Sequence, residues 1–307
     1  MESIYKISCG DYTAEINLSR GANCISLRNR KYGAVILREP DYSKELDNPY
    51  LYGMPILYPV NRISGGKFEF EGREYVFPIN EPSTNCHIHG ELHNTEFDVL
   101  EKGENYIVCE YKSNGEYLDF PHEFRIVMTY ALKEDGLYQE TEIENLSDKN
   151  MPNFLGFHTT FNIPFTEDAK SEDITVLCEV GDEIERNMAV YLPTGKILPP
   201  DDITKKMCDG TFKPFEKVIS RHYKTEDGRK IEIVDSAKKI KVVYENDEKF
   251  GFRLIYNGKA DEYICLEPMN CMANCQNSPF DREYAGFDYI EPGISKKYVS
   301  VIKVKEL

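Results

Sequence analysis

The sequence predicts an all-β fold, an antiparallel sandwich or barrel, and three observations carry that expectation. Short apolar runs of alternating polarity recur at roughly 8–12-residue spacing between turns rich in Gly, Pro, Asn and Asp. Only residues 199–209 read as a helix, with Asp201 or Asp202 as the cap. No repeat, low-complexity tract or linker interrupts the pattern, so residues 1–307 are expected to form a single domain.

Taken in order, residues 14–18 and 24–27 alternate like strands that bury one face, and residues 39–48 form a polar loop. Residues 50–60 lead in, extended, to the stretch 61–90. There an Asn61-Arg62 pair and a Gly65-Gly66 turn precede two alternating runs, Lys67-Phe68-Glu69-Phe70 and Tyr75-Val76-Phe77. They are separated by Glu71-Gly72-Arg73 and read as a β-hairpin. A polar loop then delivers His87 and His89, so that Arg62 and the histidines sit at opposite ends of the hairpin. Further strands are expected at 95–100, 106–111, 124–132 and 137–144, followed by a loop at 145–150. Residues 193–196, Pro-Thr-Gly-Lys, read as a turn. Strands at 231–234, 240–244, 252–256, 263–266 and a closing strand at 298–304 complete the pattern.

Composition narrows the function. A formal charge of −16 argues against nucleic acid or an anionic membrane as partner, and fits a neutral substrate better than a polyanion. No apolar run reaches the ~18 residues of a membrane span. The start Met1-Glu2-Ser3-Ile4-Tyr5-Lys6 lacks a secretory pattern. Nine cysteines, an odd number in no framework, point to reduced thiols and a cytoplasmic setting.

Glu267 follows the apolar run Tyr263-Ile264-Cys265-Leu266. A carboxylate at the end of such a strand is partly desolvated, which raises its pKa and suits it as a base; the plain alternative is an exposed strand end. His158 lies in a stretch almost without charge, either as a core histidine or as an imidazolium able to donate a proton near neutral pH. His87 and His89, with both rings on one side of a strand, together with His93 offer a possible transition-metal set. A cupin-like site, however, wants a carboxylate where His93 stands. Cys265, Cys271 and Cys275 match no common zinc spacing and read as buried, inert thiols.

Three segments, in order, resemble the aldose 1-epimerase family. The stretch 61–90 is similar to its N-R, G-x-F, G-x-x-Y and H-G succession. Residues 153–161 resemble its G-x-H-x-x-F segment, and Cys265-Leu266-Glu267-Pro268-Met269-Asn270 its C-L-E-P/T-x-N segment. The resemblance implies a large antiparallel β-sandwich of the galactose mutarotase-like supersandwich type, with an open sugar groove and no metal or organic cofactor. It implies Glu267 as the base at the C1 hydroxyl of a hexose such as galactose or glucose, His158 as the acid at the ring oxygen, and His89 and Arg62 as donors to sugar hydroxyls. Two departures stand out. Arg221-His222 occupies the place of a frequent Asp-His pair, and Thr159-Thr160 follows His158 instead of Pro-Tyr. An Arg221 facing the groove would favour a hexose 6-phosphate. Strand alternation equally allows it to face away, leaving His222 or Tyr223 toward the sugar, and the overall charge then favours a neutral hexose. A non-catalytic carbohydrate-binding protein is the other reading.

Overall fold

In the strand Glu123–Lys133, Phe124, Ile126, Met128, Tyr130 and Leu132 are buried and their neighbours are not. Its antiparallel partner Gly136–Asn145 sets Ile143 opposite Ile126 and Leu137 opposite Leu132. A side-chain period of two thus gives each strand one core face, and a slip of one residue would expose the whole set. The computed structural model describes residues 3–44, 46, 48–225 and 230–307.

Repeated pairing of this kind builds two eight-stranded antiparallel sheets. The first runs Asp98–Lys102, Tyr106–Asn114, Glu123–Lys133, Gly136–Asn145, Ser295–Glu306, Ile240–Asn246, Lys230–Asp235, Ile174–Cys178. The second runs Leu192–Leu198, Glu183–Asn187, Ser220–Lys224, Phe252–Tyr256, Tyr263–Met269, Gly156–Phe157, Ile56–Leu57, with Thr160–Asn162 also paired to Tyr263–Met269. A four-stranded sheet of residues 4–35 flanks them. This is the large antiparallel β-sandwich expected.

The two large sheets are joined by contacts between their facing sides. Thr159 and Tyr244 share a hydroxyl hydrogen bond of 2.9 Å, and the rings of Phe161 and Tyr244 lie 5.3 Å apart. The fully buried Arg253 donates to Asn246 Oδ1 at 3.0 Å and to Cys178 Sγ at 3.5 Å. Alternation then turns His158, Leu254 and Glu267, the neighbours of these residues, to the opposite face of the second sheet. That face carries the cleft.

The sole α-helix among the described residues is Asp202–Asp209, capped by the Asp201 carboxylate, which accepts from the amides of Ile203 and Thr204. Residues 193–196 are not a free turn but part of the strand Leu192–Leu198. Three residues of the neighbouring strand, Ile184 to Arg186, there face five of this one, Ile197 to Pro193, so the Pro-Gly signal marks a bulge in which Gly195 has φ +88°. The strands Ile174–Cys178 and Glu183–Asn187 were not anticipated. Residues 50–60 hold a short 3₁₀ turn, Pro49–Leu51, and a two-residue strand, Ile56–Leu57. The polar stretch 39–48 has neither strand nor helix where described; Glu45 and Asp47, like Met1 and Glu2, lie outside the described residues.

The hairpin Lys67–Phe70 with Arg73–Val76 forms as expected, but it stands on a second ladder, Arg62–Ser64 with Cys86–Ile88. That ladder brings Arg62 and the histidines together at one end rather than at opposite ends. The chain leaves it through His89 and Gly90, both left-handed (φ +62° and +63°). A Cβ on Gly90 would sit 1.9 Å from the Tyr58 carbonyl oxygen, so no side chain fits. Gly90→Ala is therefore expected to destabilise the protein by clearly more than the ~1–2 kcal/mol of a left-handed alanine. Gly115→Ala should cost only about that amount, because Gly115 has φ +90° and nothing within 4 Å. Urea unfolding of the two variants is the check; equal losses would contradict the close approach.

Candidate active site

The strand Tyr263–Met269 is buried along its whole length, with one face in the sandwich core and the other under the cleft. Its register pairs Gly156 with Met269 and Thr160 with Cys265, which sets His158 opposite Glu267. Leu266 N donates to Thr159 O and Asn270 N to Leu155 O, both at 2.9 Å, but between them Pro268 has no N–H to give. The register sets Pro268 opposite Phe157, so that rung lacks an N–H bond, while His158 N points to the neighbouring segment on its other side and donates to Pro55 O at 3.0 Å. His158 thus sits in a break between two short strands, its Nε2 3.3 Å from Glu267 Oε1. The angles are not those of a hydrogen bond, and Glu267 Oε1 and His158 Nδ1 have no protein hydrogen-bond partner.

Glu267 is mid-strand and 1% exposed, deeper than the partly covered strand end expected. Burial raises its pKa to about 8, against the lowering influence of the Arg186 and Arg62 charges. Burial also pushes His158 down to about 4, so it is a neutral imidazole rather than the imidazolium expected near neutral pH. Both shifts have one cause: the cleft wall disfavours whichever form is charged. With the cleft empty, the proton available to this pair rests on the carboxyl.

Glu267 and His158 line a cavity of about 740 Å³ together with His89, Arg62, Tyr50, Asn61, Glu81, Arg186, Tyr191, Ser220 and Tyr256, among others. His89 and Asn61 hold one another: His89 N donates to Asn61 O at 3.1 Å, and Asn61 N donates to His89 Nδ1 at 3.3 Å. With Nδ1 accepting, the ring proton of neutral His89 is on Nε2; burial keeps this imidazole well below its ordinary pKa. The Tyr50 ring packs on His89 (4.8 Å) and His158 (6.1 Å). Arg62 makes a bidentate pair with Glu81, Nε and one Nη each at 2.6 Å from a carboxylate oxygen, and lies 4.7 Å from the Tyr191 ring. The four residues singled out in the sequence are thus brought into one cavity.

The other candidates go elsewhere. His87 does not share a side with His89, because the strand ends at Ile88; its Nδ1 bonds the Pro78 carbonyl at 2.8 Å and its ring packs on Phe77. Arg221 faces away from the cleft, donating to Asp201 Oδ2 at 2.6 Å and Glu183 Oε2 at 2.8 Å. Neither His222 nor Tyr223 reaches the cavity: His222 Nε2 accepts from Ala273 N, and Tyr223 Oη bonds the Thr204 hydroxyl. Cys265, Cys271 and Cys275 are buried free thiols. Among the described residues, the His, Cys and carboxylate atoms close enough to share a metal ion are those of His158, Cys265 and Glu267, mutually within 4.8 Å. The histidines of residues 87–93 form no such set.

Several cleft residues escaped the sequence reading, Tyr50 and Arg186 foremost. Tyr50 lay in a segment read only as extended, and Arg186 in a short strand that no periodicity announced. Ser220 O and Oγ accept from Arg186 Nη2 at 2.6 and 3.0 Å, and desolvation lowers this guanidinium to about 10.

The raised carboxyl has a consequence for stability. Between the ordinary 4.5 and about 8 the folded protein holds a proton on Glu267 that the unfolded chain has lost. This group's contribution therefore falls as pH rises through that window and levels off above it. Glu267→Gln should gain progressively on the wild type between pH 4.5 and about 8 in urea unfolding followed across pH. A difference independent of pH would contradict the raised pKa.

A family model described as aldose 1-epimerase matches residues 3–293. A galactose mutarotase-like protein from Clostridium acetobutylicum superposes with a TM-score of 0.94 at 28% identity, covering 100% of this chain and 96% of that one. The galactose 1-epimerase of Lactobacillus acidophilus shares the fold with a TM-score of 0.71 at 15% identity, over 97% and 92% of the two chains. Two curated relatives align over shorter stretches. Protein LacX of Lactococcus lactis is 34% identical over 90 residues, 29% of this chain and 30% of its own length. Protein YihR of Escherichia coli is 28% identical over 153 residues, 50% of this chain and 48% of its own. No helix among the described residues is long and apolar enough to cross a membrane. The match over nearly the whole chain, together with the shared fold, establishes that the protein belongs to the aldose 1-epimerase family.

Proposed function

We propose that the protein interconverts the α and β anomers of a hexopyranose by acid–base opening and closing of the ring. The observation that carries this reading is the buried Glu267 carboxyl 3.3 Å from a neutral His158 imidazole. Together they are one proton acceptor and one proton donor within reach of the same small substrate. Glu267 takes the proton of the C1 hydroxyl while His158 gives one to the ring oxygen, and the C1–O5 bond opens to the aldehyde. Rotation about C1–C2 presents the other carbonyl face; the two side chains then exchange roles as the ring closes. The net reaction leaves both groups as they began.

For Glu267 to act first as base, the pair's proton must move from the carboxyl to the imidazole. Sugar hydroxyls that donate to Glu267 stabilise its anion, in the same sense as the charges of Arg62 and Arg186. Substrate binding thereby prepares the ion pair that the empty cleft disfavours. His89, with its proton on Nε2, and Arg62 are assigned as donors to ring hydroxyls. The pair of Arg62 with Glu81 holds the guanidinium plane in place and leaves its other Nη without a carboxylate.

Exchange between the two anomers, followed by NMR on free and phosphorylated hexoses, tests the activity. Glu267→Gln should fold and lose at least ~10²-fold in kcat. His158→Asn should likewise lower mainly kcat, whereas His89→Asn should also raise KM, because its contact exists before the transition state. Near-normal turnover in a folded Glu267→Gln protein would remove that residue from the mechanism. Sugar binding without exchange in the wild type would leave a non-catalytic carbohydrate-binding protein.

A further inference from the structure

The charged groups lining the cleft are Arg62, Arg186, Glu81 and Glu267. Glu81 is committed to Arg62 through both of its oxygens. When Glu267 holds its proton, the cleft is left with one net positive charge, that of Arg186, on a chain of formal charge −16. Two other arginines that are largely shielded from solvent meet carboxylates: Arg221 pairs with Asp201 and Glu183, and Arg38 with Glu262. Arg186 is 8% exposed, yet the protein acceptors that it meets among the described residues are Ser220 O and Oγ, both on Nη2. Ser220 also fixes where the guanidinium points. Glu183 is directed toward Thr204 and Arg221 on the inner side of the strand Glu183–Asn187. Alternation sends Arg186 to the cleft side with Ser220 and Tyr256, which face each other across strands. Desolvating a cation without an anion is costly, and the cost is offset when the ligand brings the anion.

We propose that Arg186 makes this cleft selective for a hexose bearing an oxyanion, a carboxylate or a phosphate ester, on a carbon other than C1. C1 is excluded because the reaction requires its free hydroxyl, and in this respect the proposal rests on the function proposed above. The expectation of a neutral hexose turned on Arg221, which does face away from the cleft. The guanidinium that reaches the cavity comes from a different strand.

The test compares glucose, glucuronate and glucose 6-phosphate with the wild type, Arg186→Gln and Arg186→Lys. Both kcat/KM for anomeric exchange and affinity by calorimetry are measured. A wild-type preference of roughly 10- to 100-fold for one of the two anions over glucose is expected, the range of a charge-assisted contact. It should be lost in Arg186→Gln and partly kept in Arg186→Lys, and which anion wins separates the carboxylate from the phosphate. Glucose used as well as both anions by the wild type overturns the proposal. So does a preference that Arg186→Gln leaves unchanged, including the case in which that variant slows all three sugars alike by acting only through Glu267. If no sugar is exchanged, the proposed reaction fails on its own, and the affinities still decide: tighter anion binding that depends on Arg186 upholds the site, equal affinities overturn it. Should Arg186→Gln not fold, the wild-type preference and its weakening in Arg186→Lys serve as the criterion.

Discussion

A carboxyl and an imidazole are held side by side by the register of a buried sheet, and the rest of the site is arranged around that pair. Hydrogen bonds from Leu266 N to Thr159 O and from Asn270 N to Leu155 O fix that register, which sets Glu267 opposite His158, and His158 N is held on its other side by Pro55 O. The pair is covered on two sides. The core face behind it is sealed by Thr159 and Tyr244, and Tyr50 lies over the His158 ring. Desolvation raises the one group and lowers the other, so that the pair's single proton rests on the carboxyl.

Around this pair, the two arginines do different work. Arg62 is neutralised by Glu81 and behaves as a fixed donor. Arg186 has hydrogen bonds, among the described residues, to Ser220 and to no carboxylate, and its charge draws Glu267 toward its anion. A protein of charge −16 repels anions at long range, but over the ~8 Å of physiological screening a cleft follows its own lining. Net charge is therefore a poor guide to the substrate here.

Much of the fold was legible because its strands keep strict period two. Residues 124–132 and 137–144 were readable to within a residue or so of their observed bounds, for each buries every second side chain. The turn read at 193–196 failed where a bulge uses the same residue types, since Pro and Gly report local backbone geometry and not whether pairing stops. Of the site, Glu267, His158, His89 and Arg62 were found through motif order, not through any physical signal of adjacency. The register that sets His158 against Glu267 is a property of pairing between distant segments. Depth was also hidden: nothing in the apolar run before Glu267 says that the strand continues to Met269 or that its outer face is roofed. Arg186 was invisible because Glu183–Asn187 alternates too briefly, beside a bulge, to declare its faces.

In the free protein the pair's exchangeable proton is on the Glu267 carboxyl. Carbon-13 NMR of the glutamate side-chain carboxyls, with Glu267 assigned by its loss in Glu267→Gln, measures this directly. A midpoint near pH 8 is expected in the free protein, displaced downward when a sugar occupies the cleft. A midpoint in the ordinary carboxylate range near 4.5, unmoved by sugar, would contradict it.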